Sequence, residues 1–199
     1  MLRLFLGLTF NSGYTRRLCT LMKGVDGVHW QPQDNLHLTL RFLGDVSLDD
    51  AEDLDVQLAR ITAPAFDLAL QGVGWFGIGD RVQNLHALSR PDPILDGLKR
   101  QVDRACQHAG FAPEQRKFKP HITLARSRAV RLESAQTWLA DHVDFRLNMG
   151  DVEAFHMISS HSSGAGRAYR VEASYPLTQM WAEPPPRPAS GDGALGARQ

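Results

Sequence analysis

The chain has 199 residues, with 22 basic and 22 acidic side chains and a hydrophobic fraction of 43%. These values are typical of one globular domain. A net charge of zero disfavours a protein that coats long nucleic acids, but it permits a site for one or two phosphates. Two cysteines, Cys19 and Cys106, are too few for a disulfide framework and lack the spacing of metal ligands, which favours a cytoplasmic protein.

Short strands and amphipathic helices follow one another along the chain. Alternating apolar residues predict strands at Leu2–Thr9, Leu36–Leu43, Phe66–Val73, Val82–Leu88, His121–Ala125, Val152–Ser159 and Tyr169–Tyr175. Apolar residues at helical spacing predict helices at Thr15–Lys23, Ser47–Ala63, Asp92–Ala109 and Glu133–His142. The glycine-rich stretch 72–79 lacks the lysine and helix of a phosphate-binding loop and is predicted as a flexible turn.

Most predicted strands have one polar and one apolar side, which is typical of half-exposed antiparallel sheets. Together with the interspersed helices, this pattern predicts an α+β fold over residues 1–181. Residues 182–199 are rich in Pro, Gly and Ala and bury too little apolar surface to offset their chain entropy, so we predict a disordered tail. No stretch reaches the roughly 18 apolar residues of a membrane span, and we expect no membrane partner.

One tetrapeptide pattern occurs twice. Residues 37–40 read His-Leu-Thr-Leu and residues 121–124 read His-Ile-Thr-Leu, so the two copies start 84 residues apart. Alternate side chains of a strand share a face, so each copy presents an imidazole and a hydroxyl about 7 Å apart, opposite the core. If the two halves of the chain face each other, two His and two Thr surround one cleft.

These side chains favour a phosphodiester site. Imidazole titrates near pH 6.5, so His37 and His121 are suited to act as an acid and a base on either side of a substrate. The hydroxyls of Thr39 and Thr123 are suited to donate hydrogen bonds to phosphate oxygens. A metal site is an alternative, but it needs three or four ligands, and the motifs bring no Asp, Glu or Cys. The other histidines share no spacing and are interpreted as structural or surface groups: His29, His86, His108, His142, His156 and His161.

The motifs and their surroundings resemble the 2H phosphoesterase superfamily, and more narrowly the RNA 2′,3′-cyclic phosphodiesterases, historically called 2′-5′ RNA ligases. The resemblance covers most of residues 2–178 and is carried by segments 3–6, 28–44, 118–126, 159–169 and 175–177. Two segments depart from the family pattern. The middle strand 82–88 lacks the tryptophan often found there, and the closing loop 159–167 diverges from usual members.

The resemblance implies two pseudo-symmetric lobes with antiparallel sheets around a central groove and helices on the outside. It also implies hydrolysis of RNA 2′,3′-cyclic phosphate ends to 2′-phosphates without a metal or other cofactor, with weak reversible 2′-5′ ligation. His37 is then the acid that protonates the departing 3′-oxygen, and His121 is the base that activates water. Arg126 matches a position that contacts the substrate in the family, although strict alternation places it on the opposite face unless the strand ends or twists.

Other interpretations remain open. The same chemistry suits a different substrate, such as ADP-ribose cyclic phosphate, a small cyclic nucleotide or a 2′-5′ oligonucleotide. A non-catalytic module that binds RNA ends or nucleotides belongs to a different class, and the two imidazoles favour an enzyme over it because binding alone does not need them. Six basic residues and no acidic residue lie between positions 115 and 132. This basic stretch is suited to attract an RNA end, and the alternative is an ordinary solvated face. We expect a monomer.

Overall fold

A computed structural model of the chain describes residues 1–163 and 166–178. The predicted tail, and the last three residues of the predicted folded unit, lie outside the described residues. Within the described residues the strands are β1 (Leu2–Thr9), β2 (His29–Trp30), β3 (His37–Val46), β4 (Phe66–Ile78), β5 (Arg81–Ser89), β6 (His121–Arg126), β7 (Arg146–Val152), β8 (Ala154–Ser163) and β9 (Gly166–Pro176). The helices are α1 (Ser12–Cys19), α2 (Leu48–Leu58), α3 (Pro93–His108) and α4 (Leu132–Asp141).

All strands belong to one antiparallel sheet, in the order β7-β4-β5-β6-β3-β1-β8-β9, with β2 paired to β6. The two strands that carry the repeated motif, β3 and β6, are neighbours at the centre. Three strands follow on each side: β5, β4 and β7 beyond β6, and β1, β8 and β9 beyond β3. This arrangement confirms the predicted α+β fold, and the sheets of the two halves join edge to edge at the β3–β6 pair.

Two of the predicted helices have a capping side chain at their first turn. The Ser47 hydroxyl accepts a hydrogen bond from the Asp50 amide at 3.1 Å, at the first turn of α2. The Asp92 carboxylate accepts from the amides of Ile94 and Leu95 at 2.7 and 3.0 Å, at the first turn of α3. Such side-chain acceptors satisfy amides that have no partner inside the helix. Both helices begin where the sequence predicts, and they pack against each other.

The prediction of a flexible turn at residues 72–79 is wrong. Residues 72–78 continue β4, which pairs with β5 through Val73–Ala87 and Trp75–Leu85. Gly72 has a φ of +76° at a shift of register, where a β-bulge rather than a turn uses its conformational freedom. The strand β7 is also absent from the predicted elements.

A second bulge changes the side of the sheet on which two residues of β3 lie. Simple alternation places Phe42 in the core and Arg41 beside His37. The register between β1 and β3 shifts instead before Arg41, because Gly7 pairs with Thr39 while the preceding residue, Leu6, pairs with Arg41. Phe42 is therefore 55% exposed, and Arg41 is only 4% exposed.

Candidate active site

The repeated motif comes together at a single pair of residues. Leu38 of β3 pairs with Ile122 of β6, and these are the middle residues of the two His-apolar-Thr segments. Antiparallel pairing about this point places His37 beside Thr123 and Thr39 beside His121, on the same face of the sheet. The two histidines are then diagonal neighbours, with Cα atoms about 7–8 Å apart.

This face forms the floor of a cavity of about 540 Å³. All five site residues predicted from the sequence line this cavity: His37, Thr39, His121, Thr123 and Arg126. The cavity wall also contains several cations and one carboxylate, Glu114. The cations are Arg41, Lys99, Arg116, Lys117, Lys119 and Arg126. The excess of positive charge suits an anionic substrate.

Each of the two motif histidines is oriented by the backbone two residues before it. The His37 Nδ1 lies 2.6 Å from the carbonyl oxygen of Asn35, and the His121 Nδ1 lies 2.7 Å from that of Lys119. A carbonyl oxygen only accepts hydrogen bonds, so both Nδ1 atoms carry a hydrogen. The neutral rings therefore keep the lone pair on Nε2, which is the nitrogen left to accept or donate a proton in the cavity.

Aromatic side chains pack against both imidazoles. The ring of His37 lies 4.7 Å from Phe5 and 4.9 Å from Tyr169, measured between ring centroids. The ring of His121 lies 4.9 Å from Phe76 and 4.8 Å from His86. These contacts restrict rotation of the rings about their side-chain bonds, which is the positioning that acid–base catalysis needs.

Burial keeps both imidazoles neutral when no substrate is bound. Burial, assisted by the positive charges of Arg126 and His121, lowers the pKa of His37 to about 4 despite its hydrogen bond to Asn35. Burial and the charge of Arg126 also lower the pKa of His121, against the effect of its hydrogen bond to Lys119. A bound phosphate anion raises both pKa values, because it favours the charged form of a neighbouring imidazole.

The position of Arg126 follows from a local irregularity of β6. Leu124 and Ala125 are both fully buried, and the register between β5 and β6 shifts at Leu85 and His86. The shift interrupts strict alternation, so that Arg126 lies on the same side as His121 and Thr123 and lines the cavity.

The environment of Arg41 differs from the position beside His37 that strict alternation along β3 predicts. Its guanidinium donates to the Asp103 carboxylate at 3.1 Å and to the carbonyl of Ala112. Lys99 donates to the second oxygen of Asp103 and lies 5.5 Å from the ring of Phe118. Both cations line one end of the cavity while they share a single carboxylate.

Four further residues of the site do not follow from the sequence. Phe76 and Asn84 line the cavity, while His86 and Tyr169 contact the two motif histidines. Phe76 lies in the stretch predicted as a turn, and His86 is among the histidines interpreted as structural or surface groups. The alternation of polar residues at Asn84 and His86 is the signal that places both on one face of β5.

The described residues contain neither a cluster of metal-ligating side chains nor a membrane-spanning helix. Among residues 1–163 and 166–178, no group of three or more His, Cys, Asp or Glu side chains is arranged to hold a metal ion. In the same part of the chain, no helix is long and apolar enough to cross a membrane.

Comparison with known proteins agrees with the resemblance of the two motifs. The family model described as LigT like Phosphoesterase matches residues 8–84 and 89–161. The RNA 2′,3′-cyclic phosphodiesterase of Aeropyrum pernix is 32% identical over 140 residues, which are 69% of this chain and 80% of that protein. The enzyme of the same name from Thermotoga maritima is 31% identical over 157 residues, which are 76% of this chain and 80% of that protein.

Solved structures extend the similarity to the fold. The crystal structure of E. coli LigT complexed with 3′-AMP is 25% identical and has a TM-score of 0.71, and the match covers 89% of this chain and 99% of that chain. The family match includes both His-apolar-Thr segments and the strands that bring them together. The chain therefore belongs to the LigT-like phosphoesterase family.

Proposed function

We propose that this protein hydrolyses the 2′,3′-cyclic phosphate ends of RNA to 2′-phosphates. The observation that carries the proposal is the Leu38–Ile122 pair, because it sets two backbone-oriented imidazoles diagonally around a space bordered by two threonine hydroxyls. The names of the relatives from Aeropyrum pernix and Thermotoga maritima support the substrate class.

The proposed reaction is an in-line displacement at phosphorus. His121 Nε2 accepts a proton from water as the water oxygen forms a bond to phosphorus. The bond between phosphorus and the 3′-oxygen breaks, and His37 Nε2, protonated when the phosphate is bound, gives its proton to that oxygen. The products are a 2′-phosphomonoester and a free 3′-hydroxyl. The proton on His121 returns to His37 through solvent, which restores the starting state.

Thr39, Thr123 and Arg126 hold the phosphate in this scheme. Their donors complement the non-bridging oxygens, on which negative charge collects as the new bond forms. Positions fixed on a sheet hold these donors in place before the substrate arrives, so little reorganisation is needed during the reaction. The chain itself supplies the acid, the base and the anion ligands.

The same geometry accounts for 2′-5′ ligation. A 5′-hydroxyl of a second RNA end, in the place of water, loses its proton to His121 and attacks the cyclic phosphate. Departure of the 3′-oxygen then leaves a 2′-5′ phosphodiester bond. Water is far more concentrated than any RNA end, so hydrolysis dominates and ligation is the minor reaction.

Hydrolysis of an oligonucleotide with a 2′,3′-cyclic phosphate end, in excess EDTA, tests this proposal. We expect turnover to a 2′-phosphate, with a loss of at least about 10²-fold in His37→Ala and in His121→Ala. His156→Ala is the matched control, because His156 lies on β8, hydrogen-bonded to Ser174 at 2.9 Å, and does not line the cavity. Binding without turnover would favour the non-catalytic module, and a 3′-phosphate product would reverse the leaving group.

A further inference from the structure

A row of three residues crosses the strands on one wall of the cavity. Phe76 of β4 pairs with Asn84 of β5, and Asn84 pairs with Arg126 of β6. Directly paired residues of antiparallel strands project to the same face, and all three line the cavity. The row therefore places a carboxamide between an aromatic ring and a guanidinium, and both of these groups can lie flat against a nucleobase.

A second row of paired residues lies next to the first and fixes the orientation of the Asn84 carboxamide. It consists of Gly74, His86 and Thr123, again paired across β4, β5 and β6. A Cβ atom on Gly74 would lie only 2.8 Å from His86 Nε2, so a glycine is needed for the imidazole to lie here. His86 is 1% exposed, and its ring is covered by Phe76 at 4.3 Å and by His121.

His86 determines which end of the Asn84 carboxamide is available to a ligand. The His86 Nδ1 lies 2.9 Å from the Asn84 Oδ1, and since a carboxamide oxygen only accepts, the imidazole donates. Burial, with the nearby charges of His121 and Lys119, lowers the pKa of His86 to about 3, so the ring stays neutral and retains this single donor role. The oxygen is thus engaged, and the amide hydrogens of Asn84 are left for the cavity.

We propose that Asn84, oriented by His86, selects a terminal nucleotide whose base carries a carbonyl oxygen, uracil or guanine, over one that carries an amino group there, cytosine or adenine. This inference rests on the proposed function. A free asparagine binds adenine through both ends of its carboxamide, accepting from the amino group and donating to the ring nitrogen. Because the oxygen is turned toward His86, the amide hydrogens are the end presented to the cavity, and they pair with O4 of uracil or O6 of guanine but not with an amino group.

Four oligonucleotides test the proposal, identical except for a final U, G, A or C that carries the 2′,3′-cyclic phosphate. For the wild-type protein we expect kcat/KM to be about five- to tenfold higher for U and G ends, as for one neutral hydrogen bond. Asn84→Asp replaces the donor by an acceptor, so the ranking should reverse toward A and C even if all rates fall. Asn84 is half-buried and its side chain is outside the core, so we expect this variant to retain the fold.

A variant of His86 tests whether this residue orients Asn84. His86→Phe keeps a ring beside Gly74 but cannot donate to Asn84, so the carboxamide is free to rotate. The ratio of rates between U or G ends and A or C ends should then fall toward one, even if the changed contact with His121 lowers the rates on all four ends. A merely structural role would lower all four rates together and leave the ratio unchanged. His156→Phe is the control, and it should leave both the rates and the ratio unchanged.

The outcomes separate this inference from the proposed function. Equal rates on all four ends by the wild-type protein would overturn the inference and leave the hydrolysis intact. A ratio that survives in His86→Phe would overturn the orienting role of His86. Absence of turnover on every end would instead overturn the proposed function. Thermal unfolding of each variant shows whether it is folded, and the Asn84→Asp result stands even if His86→Phe does not fold.

Discussion

Leu38 and Ile122 are the one residue pair at which the two halves of the chain join their motif strands. Both side chains are fully buried beneath the sheet, while the histidine and threonine on either side of each face the cavity. The pair is thus a local centre of pseudo-twofold symmetry. Because a sheet register defines positions to within a fraction of an ångström, one pair of core residues sets the separation of the two motif imidazoles.

Removal of either threonine hydroxyl should slow hydrolysis. A hydrogen bond to a charged phosphate contributes about 1.5–3 kcal/mol, so Thr39→Val and Thr123→Val should each lower kcat/KM by roughly 10- to 100-fold. Thr20→Val is the matched control, since the Thr20 hydroxyl donates to the Arg17 carbonyl at 2.8 Å outside the cavity. Steady-state kinetics on one cyclic-phosphate substrate measure the effect. Equal rates for wild type and Thr123→Val would show that the hydroxyl does not bind the phosphate.

If His37 is the acid, the loss of activity on replacing it should depend on the leaving group of the substrate. In a substrate whose 3′-oxygen is replaced by sulfur, the departing thiolate needs much less protonation, because a thiol has a far lower pKa than an alcohol. His37→Ala should therefore lose much less activity on the sulfur substrate than on the oxygen substrate. His121→Ala should lose about the same on both, since water must be activated in either case. The opposite pattern would exchange the two roles.

Burial of His86 predicts a loss of stability at acidic pH. Its folded-state pKa is about 3, while an unfolded histidine titrates near 6.5, so below pH 6.5 the unfolded chain binds the proton and the folded protein does not. This contribution to the free energy of unfolding is fully present above pH 6.5 and is lost as the pH falls, by at most about 1.4 kcal/mol per pH unit. His86→Phe should show a shallower loss between pH 6.5 and 4 in urea unfolding. Parallel curves for the two proteins would contradict it.

The buried cluster around Asp103 should matter more for stability than an exposed ion pair. Asp103 is the shared partner of Arg41 and Lys99, whose side chains are only 4% and 8% exposed. Asp103→Ala leaves two buried cations without their carboxylate and should cost about 3 kcal/mol or more. Asp80→Ala is the control, because the Asp80–Arg131 pair is mostly exposed and should cost at most about 1 kcal/mol. Similar unfolding midpoints for the two variants would contradict the prediction.

Much of the fold follows from local pattern. The alternation of apolar residues predicts β1 at its observed bounds, and helical spacing, with a capping residue at Ser47, predicts where α2 and α3 begin. These elements are recognisable because their stability depends on nearby residues, through a cap or one apolar face. The stretch 72–78 is not recognisable as a strand, because its glycines favour a turn locally and its extended form depends on pairing with β5.

The sequence by itself determined the motif side chains of this protein and the family to which they point: two imidazoles and two hydroxyls, one of each on one face of each motif strand. Only the tertiary structure decided which other groups join them. Register shifts turn Phe42 outward, draw Arg41 to Asp103 and bring Arg126 to the cavity. Pairing across β4, β5 and β6 sets His86 against His121 and Asn84 beside Arg126. Bulges and strand register depend on contacts between residues far apart in the chain, so the periodicity of a single strand does not contain them.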